Sequence, residues 1–342
     1  MSTAAAAAAL PTWLQGPLSE LLRLRGHGLL LEGPSGLGQY QLALALASAW
    51  LCEQPTPTGA CGRCPSCHSI DVRTHPDLCV LMPEAVQMEL GWPLDEQTQS
   101  DLDSKKRKPS KEIRVQAMRE AVVFSQRTNA RGRGKVVLVY PAERMNSVTA
   151  NTLLKTLEEP PGDVRFVLAS EASWKLLPTV RSRCMAFNMP WPQTPEAVAW
   201  LQAQGLAESE APMLLRAAGG RPQDALVLAR DGLTAQAWSR LPQAMRRGEV
   251  AALGERSPAQ AIDALQKLCH DLQACAAGAE PRFFASADLP PAPPLRTLAD
   301  WARDLADAAK TAEHPFNAGL MREALVTQAS VHLNSGGKPN RS

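Results

Sequence analysis

Residues 29–52 read LLLEGPSGLGQYQLALALASAWLC. A short apolar run from Leu29 to Glu32 ends in Gly33-Pro34-Ser35-Gly36-Leu37-Gly38, and an Ala/Leu-rich helical pattern follows from Tyr40 to Cys52. Strand, glycine loop, helix is the order that a phosphate-binding loop requires, because backbone N–H groups there cradle anionic oxygens. In a working loop, G-x-x-x-x-G-K-[ST], the Lys neutralises phosphate charge and the hydroxyl holds Mg²⁺. Gly33 and Gly38 keep the spacing, but Gln39 stands at the Lys position and Tyr40 at the Ser/Thr position. Gln offers a hydrogen bond without a charge, and Tyr is too large to ligate Mg²⁺ from a helix N-terminus. No nucleotide cofactor and no ATP hydrolysis are therefore expected at this loop. The two glycines suit an ordinary strand–helix turn equally well.

Outward from the loop, strands and helices alternate. Residues 71–82, with a turn at His75-Pro76, are expected as a returning strand, and the polar stretch Gly91–Lys111 as a solvated loop. Ile113, Val115, Met118, Ala121, Val122 and Ser125 recur at helical spacing. Val136 to Tyr140 has the β-branched content of a buried parallel strand, Asn146–Glu159 is helical up to Pro160-Pro161, and Arg165–Ser170 is another buried strand. This alternation predicts a parallel sheet covered on both faces. Phosphate-loop ATPases usually end the strand after the long helix in an Asp-Glu pair that holds Mg²⁺; this chain has Tyr140-Pro141.

After Pro190-Trp191-Pro192 no strand is expected. Short helices run from Pro195 to Ala229, broken at Gly219-Gly220. Beyond them Ile262, Leu265, Cys269, Leu272 and Ala276 form one stripe, and Leu298, Trp301, Leu305 and Ala308 another, with a Pro-rich linker over Leu289–Pro294. The expected division is an α/β domain over 1–189, a small helical domain over 190–232 and a helical C-terminal domain over 233–342.

A formal charge of +2 over 342 residues excludes a broadly basic, histone-like binder. The alanine run Met1–Leu10 lacks a basic flank and is too weakly apolar for a signal peptide, and no run of apolar residues is long enough to span a membrane. A cytoplasmic chain without membrane partners is expected, and there disulfides are disfavoured. Four of the eight cysteines, Cys52, Cys61, Cys64 and Cys67, nevertheless crowd into one segment as C-x8-C-x2-C-x2-C. Two overlapping C-x2-C turns present three thiolates to one centre and Cys52 closes the tetrahedron, the pattern of a structural Zn²⁺ site over 52–67. Iron–sulfur ligation uses related spacing, and His68 is a substitute ligand for Cys67. A zinc-based nucleic-acid module is disfavoured because Thr56–His68 has few Lys or Arg. Cys79, Cys184, Cys269 and Cys275 are expected as small core residues.

Three strings carry a family resemblance: Gly26-His27-Gly28-Leu29-Leu30, the string NTLLKTLEEPP over residues 151–161, and Ser182-Arg183-Cys184 after Leu177-Pro178-Thr179-Val180-Arg181. Together with the cysteine module they resemble the AAA+ clamp-loader subunits of bacterial DNA polymerase III, firmly over about 12–190 and loosely beyond. The resemblance implies an α/β AAA+ domain with an inserted zinc module, a small helical lid and an all-α collar, with Asn317–Leu333 as the last collar helix. It implies a part in DNA replication within the DNA-directed DNA polymerase III holoenzyme, a nucleotidyltransferase at the level of the complex. Lacking the Lys and the Asp-Glu pair, the chain is similar to the non-hydrolysing members; the alternative is an ATP-hydrolysing member with an atypical loop. The implied partners are the gamma or tau ATPase subunits and the delta subunit, with the sliding clamp and primed DNA reached through the complex. Gln223 stands where hydrolysing members carry a nucleotide-sensing Arg, with Arg221 two positions away, and Ser170 lies near the polar sensor position. Arg183 is implied as an arginine finger acting in trans on a neighbour's nucleotide, with Arg181 as the rival. Lys105–Lys108, and the cluster Arg127, Arg131, Arg133 and Lys135, are the candidate basic contacts to DNA or an adjacent subunit.

Overall fold

The computed structural model describes residues 10–312 and 317–335, and the chain divides into two compact units, Met1–Glu196 and Ala197–Ser342. The first unit is built on five strands: β1 (Gly28–Glu32), β2 (Leu78–Leu81), β3 (Lys135–Val139), β4 (Val164–Ser170) and β5 (Met185–Asn188). Their order is β2-β3-β4-β1-β5 and every pair is parallel, with Leu30 opposite Leu168 and Val137 opposite Phe166. A parallel sheet covered on both faces needs apolar residues at nearly every central position. All five residues of β3 are buried, as are Leu29, Leu30 and Leu31 of β1.

The covering helices are α1 (Thr12–Leu21), α2 (Gln39–Leu51), α3 (Pro65–Asp71), α4 (Glu84–Glu89), α5 (Glu96–Asp103), α6 (Val115–Gln126), α7 (Ser147–Glu158) and α8 (Pro178–Arg181). Met118 and Ala121 of α6 and Ala150, Leu153 and Leu157 of α7 share one core with Leu30, Val137, Phe166 and Leu168. Side chains alternate along a strand, so the intervening residues serve the opposite face. There α2, whose alanines allow close approach, packs against β3 and β4. Burial of each such Leu contributes roughly 1.5–3 kcal/mol.

Several expectations change. Of 71–82 only Leu78–Leu81 is strand; Asp71 closes α3, and the buried Asp77 carboxylate accepts the backbone N–H groups of Ala130 (2.7 Å) and Arg131 (3.0 Å). The segment 91–111 contains α5, which Asp95 caps by accepting the Thr98 N–H at 2.8 Å. Strand β5 is an addition, short and largely exposed at the sheet edge. Part of each basic run is engaged within the unit, while Lys105, Lys108, Arg127 and Arg133 are exposed. Arg107 pairs with the buried Glu84, the Arg131 guanidinium pairs with Glu53, and Lys135 is buried, 3.7 Å from Asp77 and over the Phe124 ring.

The second unit is helical, with no strand among the described residues: α9 (Thr194–Ala203), α10 (Ala211–Ala217), α11 (Pro222–Arg230), α12 (Ala235–Arg247), α13 (Pro258–Ala276), α14 (Leu295–Lys310) and α15 (Ala318–Asn334). One core joins Leu201, Leu215, Trp238, Leu241, Leu265, Trp301 and Val326. Asp271, fully buried on α13, accepts the N–H groups of Arg282, Phe283 and Phe284 and so fixes the returning chain. The Ile262–Ala276 stripe, and the amphipathic run Leu320, Met321, Ala324 and Leu325 expected in the last helix, both shift. Ala276 is exposed, and α15 buries Leu325, Val326, Ala329 and Leu333, leaving Leu320 65% exposed and Ala324 exposed. Of the cysteines expected in the core, Cys269 is buried while Cys79, Cys184 and Cys275 are half-buried. No helix among the described residues is long and apolar enough to cross a membrane.

Glu84 anchors the 91–114 excursion. Its carboxylate accepts from Arg107 (2.5 and 3.1 Å), Arg114 (3.0 Å) and the Ser110 N–H (2.8 Å). Burial works to raise its carboxyl, but Arg107, the Ser110 N–H and Arg114 outweigh it and hold it below the ordinary glutamate value. This contribution to stability is full above the unfolded value, near pH 4.3, and is lost as pH falls through the lower folded value. Glu84→Gln should lower unfolding free energy at pH 7 by about 1–3 kcal/mol. In urea titrations across pH, the gap between wild type and variant should narrow below about pH 4.3. A gap independent of pH would contradict this account.

Candidate functional site

The C-terminal ends of β1, β3 and β4 converge on the Gly33–Gly38 loop, the place where an open parallel sheet offers a ligand crevice. Gly36 and Gly38 have φ of +80° and +99°, a region open to glycine, and Gly38 caps α2 in the left-handed conformation. The turn of a phosphate loop is thus retained. Its chemistry is replaced. Gln39, 2% exposed, folds back and donates to the carbonyls of Gly33 (3.0 Å) and Pro34 (2.7 Å). Its amide is therefore spent on the loop itself.

Tyr40 is buried behind it, and its hydroxyl accepts the indole N–H of Trp92 at 2.6 Å. Its ring lies 5.4 Å from that of Tyr140, just beyond the end of β3. The Tyr140 hydroxyl donates to Glu171 at 2.7 Å, and the Arg73 guanidinium lies over Trp92 at 5.4 Å. Burial pushes the Tyr40 hydroxyl up, and burial together with Glu171 pushes Tyr140 up further. Both phenols stay protonated, and a neutral phenol is a poor ligand for Mg²⁺, which favours anionic oxygen and water. Ser170, at the end of β4, donates to Glu143 at 2.8 Å, and Glu143 also accepts the Glu171 N–H. Of Trp92, Glu143 and Glu171, only Trp92 carries a local signal, as a lone aromatic in a polar stretch.

Cys52 follows the end of α2, Cys61 and Cys64 lie in the next loop, and Cys67 is in α3. All four sulfurs lie within 4.8 Å of one another. The separations are 3.8 Å for Cys52–Cys64, 3.7 Å for Cys52–Cys67, 3.5 Å for Cys64–Cys67 and 4.0 Å for Cys61–Cys67. Disulfide sulfurs stand about 2 Å apart, so these are not disulfides. A tetrahedral ion with bonds of about 2.3 Å requires sulfur separations near 3.8 Å, and the cluster fits a metal ion such as zinc.

The four thiols differ in how readily they ionise. Burial opposes ionisation of Cys64, but the N–H groups of Cys67 and Glu53 and the neighbouring thiols bring it down to about 6. Burial and Cys64 push Cys67 up to about 12. Without a positive ion the set cannot supply four thiolates near neutral pH. His68 is exposed and outside the cluster. Glu53 ties the module to the body, accepting from Ser66 at 3.1 Å and Arg131 at 2.9 Å.

Arg183 follows α8 on an exposed edge. Its Nε donates to Glu158 at 2.8 Å, its Nη2 donates to the same oxygen, and its Nη1 donates to the Thr179 carbonyl at 2.8 Å. Arg181, at the end of α8, is also exposed. In the second unit, Arg221 pairs with Asp224 at 3.0 Å beside Gln223 at the start of α11.

The family described as DNA polymerase III, delta subunit matches residues 23–193. The DNA polymerase III subunit delta' of Pseudomonas aeruginosa is 37% identical over 229 residues, 66% of this chain and 62% of the relative. That of Escherichia coli is 34% identical over 222 residues, 63% and 60%. The DNA polymerase III subunit tau of Salmonella typhimurium is 31% identical over 163 residues, 48% of this chain and 21% of the relative. The matches thus span less than two thirds of the length of the delta' relatives. The family match takes in half the chain, including the glycine loop, the cysteine cluster and Arg183, and the chain belongs to the delta-prime family of DNA polymerase III clamp-loader subunits.

Proposed function

We propose that this chain is a non-hydrolysing subunit of a cytoplasmic DNA polymerase III clamp loader, helping to place the sliding clamp on primed DNA. Within that holoenzyme it would sit beside a gamma or tau ATPase subunit and the delta subunit. The observation that carries this reading is the filled loop. Gln39 spends its amide on Gly33 and Pro34, and Tyr40 and Tyr140 stand where a Mg²⁺-binding hydroxyl and carboxylate are needed. The chain's chemical contribution is then Arg183, reaching a neighbour's nucleotide in trans. A permanently charged guanidinium stabilises charge that develops on a transferring phosphoryl group. Residues 190–232 would form the lid and 233–342 the collar, and Cys52, Cys61, Cys64 and Cys67 would hold one structural Zn²⁺.

The test of the donor role is the DNA-dependent ATPase rate of a reconstituted loader. Arg183→Ala should lower it by roughly tenfold or more while assembly, followed by gel filtration, is intact; fingers in the best-studied GTPases are worth about 10³–10⁵. An unchanged rate would remove Arg183 from the role and direct attention to Arg181→Ala. ATP turnover by the isolated chain would overturn the non-hydrolysing reading.

For the metal, elemental analysis should find one zinc per chain, and Cys64→Ser should reduce it. Chelation should open residues 53–66 to protease while the helical circular dichroism of the rest persists. Global loss of helicity on chelation, or a brown iron-containing protein, would contradict a local zinc clip.

A further inference from the structure

The contact between Glu158 and Arg183 joins two of the family strings through space. Glu158 is the last residue of α7, a helix capped by Asn146, which accepts the Thr149 N–H at 3.0 Å. Leu153 and Leu157 fix its core face. The Thr179 carbonyl belongs to α8, held by the fully buried Val180. The guanidinium of Arg183 is thus bonded to two elements, each seated in the sheet's core.

The bonding pattern matters as much as the contact. A single carboxylate oxygen, Oε1, accepts from both Nε and Nη2, so Glu158 takes the side edge of the guanidinium. The Thr179 carbonyl takes one Nη1 hydrogen. Further N–H groups on Nη1 and Nη2 have no partner among the described residues, and the Arg183 side chain is 30% exposed. An incoming phosphate can be met at that outer edge without breaking the bonds to Glu158 and Thr179. An arginine otherwise loses considerable rotamer freedom on docking, and prior alignment removes part of that cost.

We infer that Glu158 is a positioning residue for the trans-acting Arg183, holding its guanidinium in the orientation in which it meets the neighbouring subunit's nucleotide. The inference rests on the proposed donor role of Arg183. The side chains are 30% and 48% exposed, and solvated ion pairs of this kind contribute little to folding, so removal of the pair should be visible in turnover far more than in stability.

The experiment uses the reconstituted loader with Arg183→Ala, Glu158→Ala, Glu158→Gln and the Arg183/Glu158 double alanine variant, measuring DNA-dependent ATP turnover, KM for ATP, assembly and thermal midpoint. Glu158→Ala should lower kcat about tenfold with KM and midpoint nearly unchanged. Glu158→Gln, which keeps an accepting oxygen, should retain most of the activity. The double variant should be no slower than Arg183→Ala alone. If Arg183→Ala leaves turnover unchanged, the donor reading itself fails. If Arg183→Ala slows turnover and Glu158→Ala does not, the positioning role alone fails. A faster Glu158→Ala loader would mean that the carboxylate restrains Arg183, and an equal loss in Glu158→Gln would mean that alignment by hydrogen bonding is wrong; either result overturns the inference.

Discussion

The hydrogen-bonded ladder β3-β4-β1, buried on both faces, is the constraint on which the rest of the first unit depends. Backbone groups in such a ladder have no access to water and must pair with each other. Side chains on both faces must be apolar, because helices cover each. Leu30, Val137, Phe166 and Leu168 meet these demands on one face, and α6 and α7 close over them. Once the ladder is set, the ends of its strands bring residues from distant parts of the chain to one edge. Gly33, Tyr140 and Ser170 lie together for that reason alone.

At that edge the glycine turn of a phosphate loop is present, with Gln39 at the position of its Lys. The left-handed glycines still turn the chain into α2. No Lys stands on the loop; Gln39 bonds the loop carbonyls, Trp92 donates to Tyr40, and the carboxylates of Glu171 and Glu143 accept from Tyr140 and Ser170. Such a set is satisfied without a ligand. The remaining charge of interest, Arg183, stands on an outer edge where it is half solvated and held from the side.

The cysteine cluster obeys a different constraint. Four sulfurs within 4.8 Å would repel one another when ionised, and a metal ion such as zinc could be held among them. Glu53 holds Ser66 within the module and links it to the body through Arg131, next to the Asp77 carboxylate that orders the 130–131 turn.

What the sequence determined by itself was whatever depends on neighbours along the chain. Buried parallel strands are near-continuous apolar runs, so β1, β3 and β4 could be read directly. The glycine spacing, the lost Lys and Asp-Glu pair, and the C-x2-C-x2-C turns are equally local. Beyond that, packing decided. Strand β5 is four mostly exposed residues whose strand character comes from pairing with β1. Helix α5 is polar and exists through the Asp95 cap and the Glu84 anchor. The buried face of α15 is set by its packing on α12 and α13, which turns Leu325 and Val326 inward and leaves Leu320 out. Trp92 on Tyr40, Glu143 on Ser170 and Glu158 on Arg183 are contacts across 52, 27 and 25 residues. No local pattern encodes such pairs; they exist because the sheet brings its strand ends, and the helices between them, to the same place.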